Sequence, residues 1–310
     1  MITMFSVPKP FRHHIGIIQR NAVQSWTLIR PRPEIILFGD DEGTAEVAKS
    51  FGVRHVPKVA RNEYGTPLLN DPFEQAKRLA TYDLLCYVNA DIILMSDFLE
   101  AVRRIVRWKH RFLMVGRRWD IDIKEYVDFT MGWENRLRAR VNCQGQLHPS
   151  TGIDYFVFPR RMWGDIPPLA IGRTTWDNWL IYQARAMHVP MIDATDSIMA
   201  VHQNHDYLHI PARGGDAWEG PEAKRNLQLA GGRGHVFTLK DATYTLGQDS
   251  PRPTLSRRHL QRRLQTLPCL YPYLRFLAIF MKAFIRVSGS LRWASKKNCP
   301  AKEVRLDAKQ

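Results

Sequence analysis

The stretch Leu84-Leu85-Cys86-Tyr87-Val88-Asn89-Ala90-Asp91-Ile92-Ile93-Leu94 constrains this chain more than any other. Its first five residues read as a buried strand. A second apolar triplet follows, and between the two stands a polar Asn-Ala-Asp step. An unpaired carboxylate in an interior costs several kcal/mol or titrates away. The step therefore belongs at a strand's carboxyl end, facing a cleft or a cation, where open α/β sheets bind their ligands.

The flanking sequence supplies the rest of such a sheet. His14 to Gln19 reads as a first strand and Asn21 to Leu28 as a short helix closed by Pro31 and Pro33. Glu34 to Phe38 is a second strand and Thr44 to Phe51 a helix ended by Gly52. Val53 to Val59 is a third strand, and Asp71 to Ala80 a helix with Pro72 in its first turn. After Asp91, Leu99, Val102, Ile105 and Val106 share one helical face, and Phe112 to Gly116 is a further strand. This alternation predicts an α/β fold with a mixed, mostly parallel, Rossmann-type sheet flanked by helices. Past residue 120 the pattern loosens. Helical character returns around Trp133–Val141 and over Trp176–His188, with strands over Gly152–Phe158 and within Met191–His205. Pro211 to Gly234, rich in Gly and Pro, reads as a mobile loop.

Charge divides the chain. The net charge is +15, but 14 basic residues against 2 acidic ones lie between Arg252 and Gln310, leaving +3 for everything before them. A nearly neutral body argues against specific nucleic-acid binding, and a basic tail argues for an anionic contact. The expected organisation is a domain over 1–250, with a nucleotide-binding half about 11–120 and an acceptor half about 121–250, followed by a basic helical tail over 251–310. In that tail an apolar run is interrupted by Arg275, Lys282 and Arg286. It is too broken to span a bilayer but suits an interfacial helix on an anionic leaflet. Cys86, Cys143, Cys269 and Cys299 form no metal-binding or CxxC spacing, and Met1 to His14 holds no apolar leader core. The expected place is the cytoplasm, with the tail peripheral on the inner face of the membrane.

Four groups of residues carry chemistry. In the turn Gly39-Asp40-Asp41-Glu42-Gly43 the acidic side chains can accept bonds from a ribose hydroxyl or a base N–H, but they repel phosphate. No GxxxxGK[ST] and no strand-linked GxGxxG exists to cradle one. Asp91 is a hard ligand for a divalent cation, and His202 and His205 are borderline ligands late in the chain. That set suits Mn²⁺ or Mg²⁺. Trp176-Asp177-Asn178-Trp179 puts a carboxylate at a helix start between two indoles. The helix terminus favours its ionised form, and the indole faces could seat a sugar ring. Asp154 is a further carboxylate among apolar neighbours, suited to acceptor hydroxyls. A capping or core role is the competing reading for Asp40, Asp41, Asp154, Asp177 and the indoles.

Taken in order, these features resemble a GT-A-type glycosyltransferase of the family 2-like group, over roughly residues 11–210. The resemblance implies a nucleotide diphosphate sugar as donor and a glycan, lipid or other hydroxyl compound as acceptor. It assigns Asp40 and Asp41 to the nucleoside, Asp91 to the metal and Asp177 to deprotonation of the acceptor. It gives His202 a metal-ligand role, with His205 as the competitor. Asn89 stands where the family's Asp-x-Asp step begins with Asp, and is grouped with the donor-binding residues. Trp176 stands where Glu precedes the base, so a single carboxylate carries that role, and inversion at the sugar is the expected outcome. Two alternatives share the fold. One is a non-catalytic carbohydrate- or partner-binding module. The other is a nucleotidyltransferase, whose basic Gly-rich loop is replaced here by Gln19-Arg20-Asn21-Ala22.

Overall fold

The computed structural model describes residues 1–205 and 219–274. It divides into two units, 1–260 and 261–310. The strands are β1 (Thr3–Ser6), β2 (Glu34–Phe38), β3 (Arg54–Val56), β4 (Leu84–Val88), β5 (Ile92–Ile93), β6 (Leu113–Ile121), β7 (Gln146–Leu147), β8 (Ile153–Pro159), β9 (Met191–Asp193), β10 (Ala200–Gln203), β11 (Tyr244–Leu246) and β12 (Pro251–Pro253). The helices are α1 (His13–Leu28), α2 (Thr44–Phe51), α3 (Asn70–Leu79), α4 (Ser96–Trp108), α5 (Trp133–Gln144), α6 (Trp176–Ala186), α7 (Pro221–Leu229) and α8 (Arg257–Leu270). The main sheet runs β12-β11-β9-β6-β8-β4-β1-β2-β3, and β10 joins the far half of β6 to β5. Its pairings are mixed and mostly parallel, the α/β arrangement flanked by helices that the sequence implies.

Both sheet faces are covered, which explains why the central strands read as unbroken apolar runs. Side chains alternate along a strand. Met4, Leu37, Cys86 and Val88 face a cluster completed by Ala22, Val23 and Trp26 of α1, Val47 of α2 and Phe98 of α4. Phe5, Tyr87 and Phe158 face the other way onto Phe73 of α3, and Trp176 of α6 packs against Tyr87 and Phe156.

Two expectations are corrected. His14 to Gln19 is not a strand but the first half of α1. Its buried positions, Ile18, Gln19, Ala22, Val23 and Trp26, recur at helical spacing, and the Ile-rich run alone does not distinguish the two periods. The first strand is Thr3–Ser6, all four residues buried. Within Pro211–Gly234, residues 221–229 form α7, with Pro221 at its start and Glu222 and Asn226 buried. Glu222 meets Arg173 at 2.6 Å. Asn226 donates to the carbonyls of Ala170 and Thr174 and accepts from the Ala170 N–H. Residues 206–218 of that stretch, Cys299, and the interfacial helix expected around Arg275, Lys282 and Arg286 lie outside the described residues. Among the described residues no helix is long and apolar enough to cross a membrane.

Parallel pairing of β1 with β2 and β4 puts the carboxyl ends of all three at one edge of the sheet. β8 runs antiparallel to β4, so its start, with Asp154, arrives at the same edge, and the Asn89 N–H donates to the Asp154 carbonyl at 2.9 Å. β6 reaches that edge through a bulge between Val115 and Arg117. A side chain at Gly116 would begin 2.2 Å from the Tyr155 hydroxyl, so only glycine fits. The bulge shifts the phase of β6, and beyond it Arg118 and Asp120 share one face.

Candidate metal and base site

After β4 the chain turns tightly: the Ile92 N–H donates to the Asn89 carbonyl at 3.1 Å. The Trp26 indole N–H pins the Ile92 carbonyl from α1 at 2.9 Å. Asp91 is thereby set at the sheet edge. β10 runs alongside, with His202 in register with Ile92 on one side and with Asp120 on the other. Pairing alone thus brings an imidazole between two carboxylates. Nε2 of His202 is 3.9 Å from Asp91 Oδ2, and its Nδ1 is 3.0 Å from Asp120 Oδ1. His205, two residues past the strand, puts Nε2 3.1 Å from Asp91 Oδ2. Donor atoms of Asp91, His202 and His205 lie within 4.8 Å of one another.

This donor set fits a divalent cation. It offers one carboxylate oxygen and two imidazole nitrogens, a mixture that suits Mn²⁺ well. Asp91 Oδ1 is buried and has no hydrogen-bond partner among the described residues, a costly state unless something positive completes it. Burial pushes the Asp91 carboxyl up, but the hydrogen bond to His205 and the charges of His202 and Lys9 outweigh it. They hold it well below the usual carboxylate range.

Behind these candidate ligands stands a polar chain in which Arg118, Asp120 and His148 were not found by sequence reading. Asp120 accepts from His148 Nδ1 at 2.5 Å and from Arg118 Nε at 2.8 Å. Burial opposes ionisation of Asp120, but its bonds to His202, His148 and Arg118 hold its carboxyl low. Arg118 Nη1 donates to Asp154 Oδ2 at 2.9 Å, and Asn89 Nδ2 donates to Asp154 Oδ1 at 2.6 Å. Both Asp154 oxygens are thus engaged by protein donors, and Asp154 is 6 % exposed. Its geometry suits a charged support, and the Asn89 amide is spent on it. A clue did exist in sequence. Arg118 and Asp120 are polar residues two apart in a strand that is apolar before them. Asp120 takes the position of the outer carboxylate that usually orients a metal-binding imidazole. Asp120→Asn is expected to weaken Mn²⁺ binding about 10–100-fold, as read by titration calorimetry, and to cost about 1–3 kcal/mol of stability at pH 7 because it removes a carboxylate held ionised by charged hydrogen bonds.

Asp177 lies in the first turn of α6. The cap before it is not made by its side chain. Thr175, β-branched and buried, holds φ at 88° there, a left-handed conformation costing of order 1–3 kcal/mol and characteristic of functional sites. The Asp177 carboxyl is pushed up to about 7 by burial first. Asp154 adds to the rise, and the N–H groups of Asn178 and Asp177 itself oppose it. A carboxylate titrating there is poised to take a proton near neutral pH.

Trp176 and Trp179 are each 5 % exposed. The Trp176 ring meets Tyr87 edge-on and Phe156 at a tilt, so the expected sugar platform is largely covered by protein. Both indoles belong to the buried face of α6, with Leu180, Ile181 and Ala184. Trp176→Ala is expected to cost about 3–5 kcal/mol of folding stability, read by chemical denaturation; an indole facing a ligand would cost far less. The acidic turn is placed on the sheet edge after β2. Asp40 is mostly exposed, and both it and Asp41 are paired with Arg61, at 3.0 and 2.6 Å. Neither side chain caps α2, whose cap is Gly43.

No family model and no curated protein matches the chain. Among solved structures it is similar to Staphylococcus aureus TarS 1-349 in complex with UDP-GlcNAc, at 10 % identity over 74 % of this chain and 65 % of that one, with a TM-score of 0.46. A mannosyltransferase, PcManGT from Pyrobaculum calidifontis in complex with GDP-Man and Mn²⁺, aligns at 14 % identity over 67 % and 58 %, TM-score 0.42. Glucosyl-3-phosphoglycerate synthase of Mycobacterium tuberculosis aligns at 13 % over 75 % and 81 %, TM-score 0.44. The chain thus spans less than two thirds of the first two. No residue role is carried across from any of them.

Proposed function

We propose that the chain transfers a sugar from a nucleotide diphosphate sugar to a hydroxyl acceptor, with inversion. The observation that carries this reading is a three-donor cation site at the sheet edge, joined through Asp120 and Arg118 to Asp154, whose charge also acts on Asp177, a carboxyl with proton affinity near neutral. Asp91, His202 and His205 would hold Mn²⁺ or Mg²⁺. When bound, such an ion supplies Lewis-acid stabilisation of a departing diphosphate. Asp177 takes the proton from the acceptor hydroxyl as the new glycosidic bond forms. Asp154 raises the proton affinity of Asp177, and through Arg118 and Asp120 it belongs to the same polar chain as His202. Asp40 and Asp41 face the nucleoside end, with Arg61 holding both carboxylates. The acceptor is a hydroxyl compound whose hydroxyl reaches Asp177.

A thermal-shift panel tests the reading. Nucleoside diphosphates and UDP- and GDP-sugars are compared with and without Mn²⁺. A ligand at a hundred times its dissociation constant adds about 2.7 kcal/mol, a shift of several degrees. A Mn²⁺-dependent shift for one nucleotide class is expected. Absence of any shift, with Mn²⁺ present, would favour a glycan-binding role without catalysis.

A further inference from the structure

Lys9 belongs to no motif in the sequence, yet it stands at the metal ligands. It lies between Pro8 and Pro10 in the loop after β1. Its backbone is locked by two reciprocal bonds with Gln19 of α1: the Lys9 N–H donates to Gln19 Oε1 at 2.7 Å, and Gln19 Nε2 donates to the Lys9 carbonyl at 2.8 Å. The ammonium is therefore delivered to one place. Nζ is 3.5 Å from His205 Nε2, the atom that is itself 3.1 Å from Asp91 Oδ2. Burial lowers the proton affinity of the ammonium, and the charges acting on it are those of the site: Asp91 and Asp154 favour the charged form, while Arg173 and Arg118 oppose it. His205 Nε2 thus faces a carboxylate and a cation together. To donate to Asp91 it must carry a proton; to bind a metal it must be bare.

Resting on the metal-site reading above, we propose that Lys9 is the resident cation of the ligand cluster. It opposes binding of a free divalent ion and contacts the donor's diphosphate once ion and donor are present together. Charge counting supports this. A divalent ion among Asp91, His202 and His205 would have one carboxylate in its ligand set, with an ammonium a few ångströms away, while Asp120 and Asp154 behind the ligands are both engaged by Arg118. In a largely buried setting that repulsion is poorly screened. A diphosphate brings the negative charge that allows both cations to remain. Metal and diphosphate then bind interdependently, each raising the affinity of the other by the same factor.

The test is Mn²⁺ titration, read from the paramagnetic resonance of the free ion, on wild type, Lys9→Met and Lys9→Arg, with and without inorganic pyrophosphate. Without pyrophosphate, Lys9→Met is expected to bind Mn²⁺ about tenfold or more tightly than wild type, and Lys9→Arg no more tightly than wild type. Pyrophosphate should strengthen Mn²⁺ binding to wild type much more than to Lys9→Met. If wild type binds Mn²⁺ and Lys9→Met binds it equally or more weakly, the coupling role is overturned while the metal site stands. If none of the three binds Mn²⁺ under either condition, the metal-site reading fails and takes this inference with it. Lys9→Gln replaces the Met variant should that one melt early.

Discussion

Asp177→Asn is expected to lower kcat/KM by about 10²–10⁴-fold and, at pH 8, to raise the melting temperature. The two effects have one cause. The fold lifts the Asp177 carboxyl to about 7, chiefly by burying it and secondarily by setting it near Asp154. An aspartate in an unfolded chain titrates near 3.9. The native state therefore favours the protonated form. The stability contribution of that form is complete below the unfolded value, and it is lost as pH rises through about 7. Wild type should lose stability steadily between about pH 4 and pH 7, by at most about 4 kcal/mol. The Asn variant lacks this slope, so its advantage should vanish near pH 4 and be largest at pH 8. Catalysis runs the opposite way. The base must be ionised, so wild-type kcat/KM should climb with unit slope below about pH 7 and level off above it. Asn at this position can still accept a hydrogen bond from the acceptor but cannot take its proton. Donor affinity should be unchanged, which separates a base from a donor-binding group. Melting curves and pH–rate profiles on the two proteins are sufficient. A flat stability profile in wild type would show that Asp177 is not held protonated, and a rate loss confined to KM would make it a binding residue.

Much of the architecture is written in periodicity. The strand at Leu84–Val88 is apolar on both faces because helices cover both, and no other placement suits such a run beside Asp91. Helix α4 is visible because Leu99, Val102 and Ile105 keep one face. Helix α1 is hidden because Ile15, Ile17 and Ile18 satisfy two periods over a short window, and only Ala22, Val23 and Trp26 further on break the tie.

The candidate site divides along the same line. Asp91 is legible because a carboxylate between two apolar runs has few stable fates. His202 and His205 are legible only as a spacing, and pairing of β10 with β5 and β6 is what brings them to Asp91. Asp120 and His148 are not legible, because their meeting depends on the bulge between Val115 and Arg117 and on the pairing of β7 with the far half of β6. Lys9 is hidden for a related reason: its place is set by a side chain of α1, through Gln19. Trp176 shows the limit of composition. An indole beside a carboxylate has the same letters whether it faces a sugar or Tyr87, and only the packing of α6 against β4 and β8 decides between them.

Asp91→Asn should abolish high-affinity metal binding and reduce turnover about 10³-fold or more, while also costing stability, the reverse of the Asp177 result. Asp91 is held ionised by His205, His202 and Lys9 despite its burial. A carboxylate with a lowered native value stabilises the fold above its unfolded value near 3.9, and that contribution is lost as pH falls through the native value. In chelator at pH 7, Asn at this position should therefore melt earlier than wild type by about 1–3 kcal/mol, the scale of a hydrogen bond to a charged group. Below about pH 4 the difference should shrink, because the unfolded chain's aspartate takes a proton there while the native carboxyl, held low, stays ionised. Adding Mn²⁺ separates the two losses. Wild type should gain stability with the ion and its nucleotide, and Asp91→Asn should not, because an amide oxygen offers no net charge to offset two imidazoles and an ammonium. A variant that melted like wild type in chelator yet still gained stability with Mn²⁺ would move the metal away from Asp91. The polar chain through Asp120 and Asp154 would then have to hold the ion, a geometry in which His148 replaces His205 as the second imidazole.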